Sequence, residues 1–73
     1  MIRIKLKQLL DDKAFKEGRR ITLNEVSSKT GIARATINRI ANKPGYNTTT
    51  DNIDLLCRYL GCSPCELMEL VSD

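Results

Sequence analysis

Gly31 divides two short amphipathic segments, and that arrangement constrains the chain more than any other feature of its 73 residues. On the N-terminal side, Thr22 followed by Glu25 reads as a capping box. The threonine hydroxyl accepts from the backbone N–H three residues on, and Glu25 reaches back. The helix that follows buries Leu23 and Val26, and Ser27 is small enough to let another helix approach. Gly31 then takes the left-handed conformation that ends the helix, which only glycine adopts without steric cost. Ile32 re-enters the core, and a second helix runs from about residue 33 to 42. At about 100° per residue, Ile37 and Ile40 mark the inward side of that helix. Residues 22–42 therefore read as a helix-turn-helix.

The outward side of the second helix carries nothing large and apolar. Ala35, Asn38, Arg39 and Asn42 lie there, with Arg34 and Thr36 on the flanks. Asn and Arg side chains can each make paired hydrogen bonds to base edges in the major groove, so this face suits double-stranded DNA. Charge follows the same division. Residues 16–50 hold Lys16, Arg19, Arg20, Lys29, Arg34, Arg39 and Lys43 against Glu17 and Glu25, a net +5. Residues 51–73 hold only Arg58 against Asp51, Asp54, Glu66, Glu69 and Asp73, a net −4. Clustered cations release counterions when they meet a duplex, so a basic block around the motif favours phosphate binding over a merely solvated surface.

The motif resembles the Cro and phage-repressor family of helix-turn-helix regulators (Xre-like) at Leu23, Glu25, Val26, Gly31-Ile32, Thr36-Ile37 and Arg39-Ile40. The resemblance continues through Ile53-Asp54-Leu55-Leu56-Cys57-Arg58-Tyr59-Leu60-Gly61-Cys62-Ser63-Pro64 and covers nearly the whole chain. It implies a single all-α domain over residues 1–73, a five-helix lambda-repressor-like fold. It places the base-reading positions on Arg34, Ala35, Asn38 and Arg39, in agreement with the helical wheel. It also implies a two-fold dimer on a palindromic operator, with half-sites about one helical turn apart. Ala33 departs from the family, which usually has a hydroxyl residue there; the missing side-chain cap costs about 1 kcal/mol. Ser27 replaces the commoner alanine.

Phosphate contacts are expected from two places. Arg19 and Arg20 flank the helix start at Thr22 and Leu23, where unpaired N–H groups and the helix dipole favour an anion. After the second helix, the family's connection lies along the sugar-phosphate backbone, which assigns Asn42, Lys43, Tyr46 and Asn47 to it, with Thr36 as a further backbone contact. The two arginines also fit a solvated loop, and the Tyr46 ring fits equally well against the edge of the domain.

The remaining spacing predicts the other elements. Ile2 and Ile4 alternate with Arg3 and Lys5, which suggests a short extended segment. Leu6, Leu9, Leu10 and Ala14 give a helical stripe over about residues 5–17, ended by Gly18, with Phe15 also read as core. Residues 42–49, with their Pro44-Gly45 pair, form a loop. A fourth helix starts near Thr49 or Thr50, buries Ile53, Leu56 and Leu60, and ends at Gly61. Ser63 to Glu66 is a second capping box with Pro64 at the first helical position, so a fifth helix starts there. Leu67, Leu70 and Val71 are expected to close the core from it.

Other chemistries find less support. No histidine and no Gly-rich phosphate loop is present, so no enzymatic constellation and no cofactor are expected. Cys62 and Cys65 form a C-x-x-C at a helix start, which invites a redox or zinc reading. A structural zinc site usually needs four ligands, and three cysteines without histidine fall short. Cys57 and Cys62 fall where small apolar groups are needed, so the thiols read as structural, with redox sensing as the alternative. Stacking on single strands or RNA needs more aromatics than Phe15, Tyr46 and Tyr59. No run approaches the roughly 20 apolar residues of a membrane span. Without a secretory segment, the expected location is the cytoplasm of a bacterium or archaeon, or of a phage host.

The expected function is a small transcriptional regulator, a repressor, that binds duplex DNA as a homodimer. Any dimer is expected to form through the domain itself, by residues 2–4 or by Leu70 and Val71. The alternative is an antitoxin that binds a toxin protein and represses its own operon. Such proteins often carry a disordered arm that wraps the toxin, and almost nothing is expected here beyond the fifth helix.

Overall fold

The computed structural model describes residues 1–43 and 45–72. Pro44 of the expected Pro-Gly loop and Asp73 of the acidic C-terminal count lie outside them. The chain runs β1 (Ile2–Ile4), α1 (Leu6–Glu17), α2 (Leu23–Thr30), α3 (Arg34–Asn42), α4 (Thr50–Leu60), α5 (Pro64–Leu67) and β2 (Met68–Leu70). The five helices follow the expected order, and no helix is long and apolar enough to cross a membrane.

One core joins them. Leu6 and Leu10 of α1, Val26 of α2, Ile37 and Ile40 of α3, and Ile53, Leu56 and Cys57 of α4 are buried together with Ile32 and Leu67. Fully burying a side chain such as Ile37 or Leu56 is worth about 1.5–3 kcal/mol each, which is how helices too short to persist alone are held. Among the described residues, every buried side-chain nitrogen or oxygen has a hydrogen-bond partner.

Helix boundaries follow local chemistry. Gly18, Gly31 and Gly61 each close a helix in the left-handed conformation, at φ 66°, 78° and 68°. The hydroxyls of Thr22 and Thr49 accept from Glu25 N and Asn52 N, both at 3.2 Å, and so cap α2 and α4. Ala33 caps α3 with no side-chain hydrogen bond, as its methyl group requires.

The C-terminus departs from expectation. The fifth helix stops after Leu67, and the chain becomes extended and pairs antiparallel with β1. Ile2 lies opposite Leu70, Arg3 opposite Glu69 and Ile4 opposite Met68. Arg3 and Glu69 form an ion pair across the strands. The spacing of Leu67, Leu70 and Val71 fits a helix, whereas alternation over residues 68–70 fits a strand, and the available partner at residues 2–4 decides it. Met68 and Ile4 pack against the core. Leu70, expected to help close the core, is instead 80% exposed at the far end of the sheet.

Phe15 also departs from expectation, since the sequence suggests a core residue and the side chain is 90% exposed. On a helix it lies nine residues beyond Leu6, about 180° around the wheel, so it points away from the side that α1 buries. The stability consequence is direct. Leu67→Ala should lower unfolding free energy by about 2–5 kcal/mol in urea titration, while Phe15→Ala should change it by no more than about 0.5 kcal/mol. Equal losses for the two variants would show that the packing of α1 or α5 is misassigned.

Candidate nucleic-acid interface

Two buried isoleucines orient α3. Ile37 and Ile40 face the core, while Arg34, Ala35, Asn38, Arg39 and Asn42 are exposed and Thr36 is half-buried on the flank. The turn before α3 is fixed by two side chains that accept or donate locally. Ser27 Oγ donates to the Ile32 carbonyl at 2.6 Å. Thr30 Oγ1 donates to the Val26 carbonyl at 2.7 Å and accepts from Ile32 N at 3.2 Å. Ser27 therefore does more than leave room for a helix, and Thr30, which the sequence pattern did not single out, is a buried tie between α2 and the turn.

Polar contacts also arrange the exposed face. Arg34 Nε donates to Asn24 Oδ1 at 2.7 Å, and the two terminal nitrogens of its guanidinium have no hydrogen-bond or ion-pair partner among the described residues. Asn24, on α2, was not singled out from the sequence; only the packing of α2 against α3 brings it to Arg34. Asn42 Nδ2 donates to the Asn38 carbonyl at 3.1 Å and to Asn38 Oδ1 at 2.8 Å. Asn42 Oδ1 in turn accepts from Lys7 Nζ of α1 at 3.2 Å. Arg39 is exposed, and its guanidinium takes part in none of the ion pairs among the described residues.

The expected phosphate contacts separate into two groups. Arg20 and Thr22 are exposed, and with Leu23, Lys7, Arg34 and Asn42 they border a cleft of about 470 Å³ between α1 and the helix-turn-helix. Lys43 and Asn47 are exposed on the loop after α3. Tyr46 is half-buried with its ring against the core, the alternative that the sequence left open. Arg19 stands apart. Its guanidinium meets both oxygens of Glu25 at 2.8 Å and Glu17 Oε1 at 3.0 Å.

That engagement also revises the capping box of α2. Thr22 accepts from Glu25 N as expected, but the Glu25 carboxylate is turned to Arg19. Tyr59 OH of α4 donates to Glu25 Oε2 at 3.4 Å, Lys13 pairs with Glu17 at 2.7 Å, and the Lys13 ammonium lies 5.2 Å from the Tyr59 ring centre. The cluster clasps α1, α2 and α4 together. Hydrogen bonding to Arg19 holds the Glu25 carboxyl below the ordinary carboxylate range, and Lys13 does the same for Glu17. The Arg19 guanidinium is correspondingly raised by Glu25.

The cysteines separate as well. Cys57 is buried, Cys62 is half-buried and Cys65 is exposed, all as free thiols. Burial, and then the neighbouring Cys57, push the Cys62 thiol up. A redox-active thiol at a helix start is shifted the other way.

A family model described as "Cro/C1-type HTH DNA-binding domain" matches residues 5–73. No curated protein matches the chain.

The clasp gives a pH dependence with a definite sign. Glu25 and Glu17 have carboxyls lowered by folding, so their contribution to stability is full above the ordinary carboxylate value and fades as pH falls through it toward the folded value. Urea midpoints measured from neutral to acid pH should therefore fall on acidification, and Glu25→Gln should flatten part of that fall. An unchanged acid profile in Glu25→Gln would show that the Arg19–Glu25 pair does not couple to folding.

Proposed function

The chain belongs to the family of Cro/C1-type HTH DNA-binding domains, and on that premise we propose that it is a sequence-specific transcriptional repressor that lays α3 in the major groove of a palindromic operator. The observation that carries this reading is the exposed polar side of α3, with Ile37 and Ile40 buried behind it. A helix held this way offers its outer residues to base edges without rearrangement.

In this reading Arg34, Ala35, Asn38 and Arg39 face the bases. Arg39 is exposed and unpaired among the described residues, which suits a two-pronged contact with guanine. Arg34, buttressed by Asn24, keeps its outer nitrogens available. Thr36 lies at the groove edge. Backbone phosphates are taken by Arg20, the α2 start at Thr22 and Leu23, Lys43 and Asn47, with the Tyr46 hydroxyl at the loop. Arg19 contributes through the fold instead, because its guanidinium is committed to Glu25 and Glu17. Phosphate contacts set the register on the duplex and base contacts set the sequence.

A homodimer completes the reading, since two copies related by a two-fold axis match a palindrome. The cross-strand pair of Ile2 and Leu70, 49% and 80% exposed, borders an apolar groove with Pro64, Cys65 and Met68 and is the surface we assign to the second copy. The acidic C-terminal part of the chain would be repelled by phosphates, which suits a surface turned away from the duplex.

Two measurements test these assignments. Arg39→Ala should cost about 1–3 kcal/mol on the selected operator and loosen its sequence preference, whereas Lys43→Ala should weaken all duplexes alike and flatten the salt dependence. Wild-type affinity in Arg39→Ala would overturn the reading face. Sedimentation over a concentration series should show a dimer that Leu70→Glu weakens. Only monomer, with and without a palindromic duplex, would overturn the proposed interface.

A further inference from the structure

Asn38 is the one amide among the four proposed base-reading residues, and an amide can offer either an acceptor or a donor to a base edge. Three residues drawn from two helices leave only one of those choices. Lys7 carries donors only, so the group of Asn42 that faces it is the carbonyl oxygen, and the observed contact is Lys7 Nζ to Asn42 Oδ1 at 3.2 Å. The Asn42 amide nitrogen is thereby turned toward Asn38, where it donates to both the main-chain carbonyl and Oδ1. Asn38 Oδ1 is occupied as an acceptor at 2.8 Å, and its amide nitrogen remains with no hydrogen-bond partner among the described residues.

We propose that Lys7 and Asn42 are positioning residues that set the specificity of Asn38, fixing it as a hydrogen-bond donor toward the duplex. A donor finds its partners on the acceptor edges of the major groove, which are the N7 and O6 of guanine, the N7 of adenine and the O4 of thymine. The relay disfavours readings in which Asn38 must accept, such as the amino group of cytosine. Asn42 acts through Asn38 rather than on phosphate, since its observed donor contacts are directed at Asn38. Lys7 lies 35 residues away in sequence, outside the helix-turn-helix, and reaches the reading face from α1. The inference rests on the proposal that α3 reads the major groove.

The test is duplex selection from a random library, followed by affinities on operators changed at each single base pair. Wild type should select a site, and Asn38→Ala identifies the base pair that Asn38 reads. Asn42→Asp replaces the middle of the relay with a group that only accepts, so the Asn38 amide must turn over and present Oδ1 outward. At that base pair alone, its preference should move toward edges that carry a donor, with the wild-type choice losing about tenfold of its advantage. Lys7→Met, at an exposed position, should reduce the preference at the same base pair without shifting the others. If either variant binds too weakly under the selection conditions, affinities at low salt give the same comparison. Uniform weakening on all operators, with the preference at that base pair unchanged in both variants, overturns the relay and leaves Lys7 a simple phosphate contact. Failure of wild type to select any duplex overturns instead the groove-reading proposal on which the relay rests.

Discussion

The burial of Ile37 and Ile40 is the constraint on which the rest of the molecule depends. Helix α3 is nine residues long, too short to persist in water, so it exists only while those two side chains are held. Their position also sets the rotation of the helix about its axis. Turning it by one residue would bring Asn38 or Arg39 into the core, where an unpaired polar or charged group costs several kcal/mol. The apolar contact therefore decides which residues remain outside, and the exposed polar face is the necessary complement of the core.

Polar contacts then divide the charged residues into two kinds. Ser27 and Thr30 tie the turn to α2, and Asn24 and Asn42 restrain the residues that face outward. Arg19, Glu17, Glu25, Lys13 and Tyr59 form a separate clasp over α1, α2 and α4. Arg19 and Arg20 are neighbours of the same charge in the same loop, yet one is drawn into that clasp while the other borders the cleft beside α2. A count of cations along the chain treats them as equals.

The parts that were legible in the sequence are those governed by local rules. Gly18, Gly31 and Gly61 end helices, Thr22 and Thr49 start them, and the stripe of Leu6, Leu10, Val26, Ile37 and Leu56 marks the core. Phe15 belongs with them in principle, because the wheel that assigns Leu6 and Leu10 to the buried side sets it opposite them, yet its aromatic character alone suggests core and misplaces it. The end of the chain was not legible. Residues 67–71 fit either period, and the strand at residues 68–70 forms because β1 offers hydrogen bonds to it from the other end of the sequence. The same holds for Asn24, Lys7 and Thr30, whose partners become neighbours only after the helices pack.

By itself the sequence determined the helix-turn-helix, its inner and outer sides and the basic character around it, because capping, glycine conformation and hydrophobic period act within a few residues. Only the tertiary structure decided which donors and acceptors on that outer side are already engaged, and which arginine is spent on holding helices together. Hydrogen bonds and ion pairs of this kind depend on atoms a few ångströms apart in space. Residues as distant as Lys7 and Asn42 meet only when the core has brought α1 and α3 together.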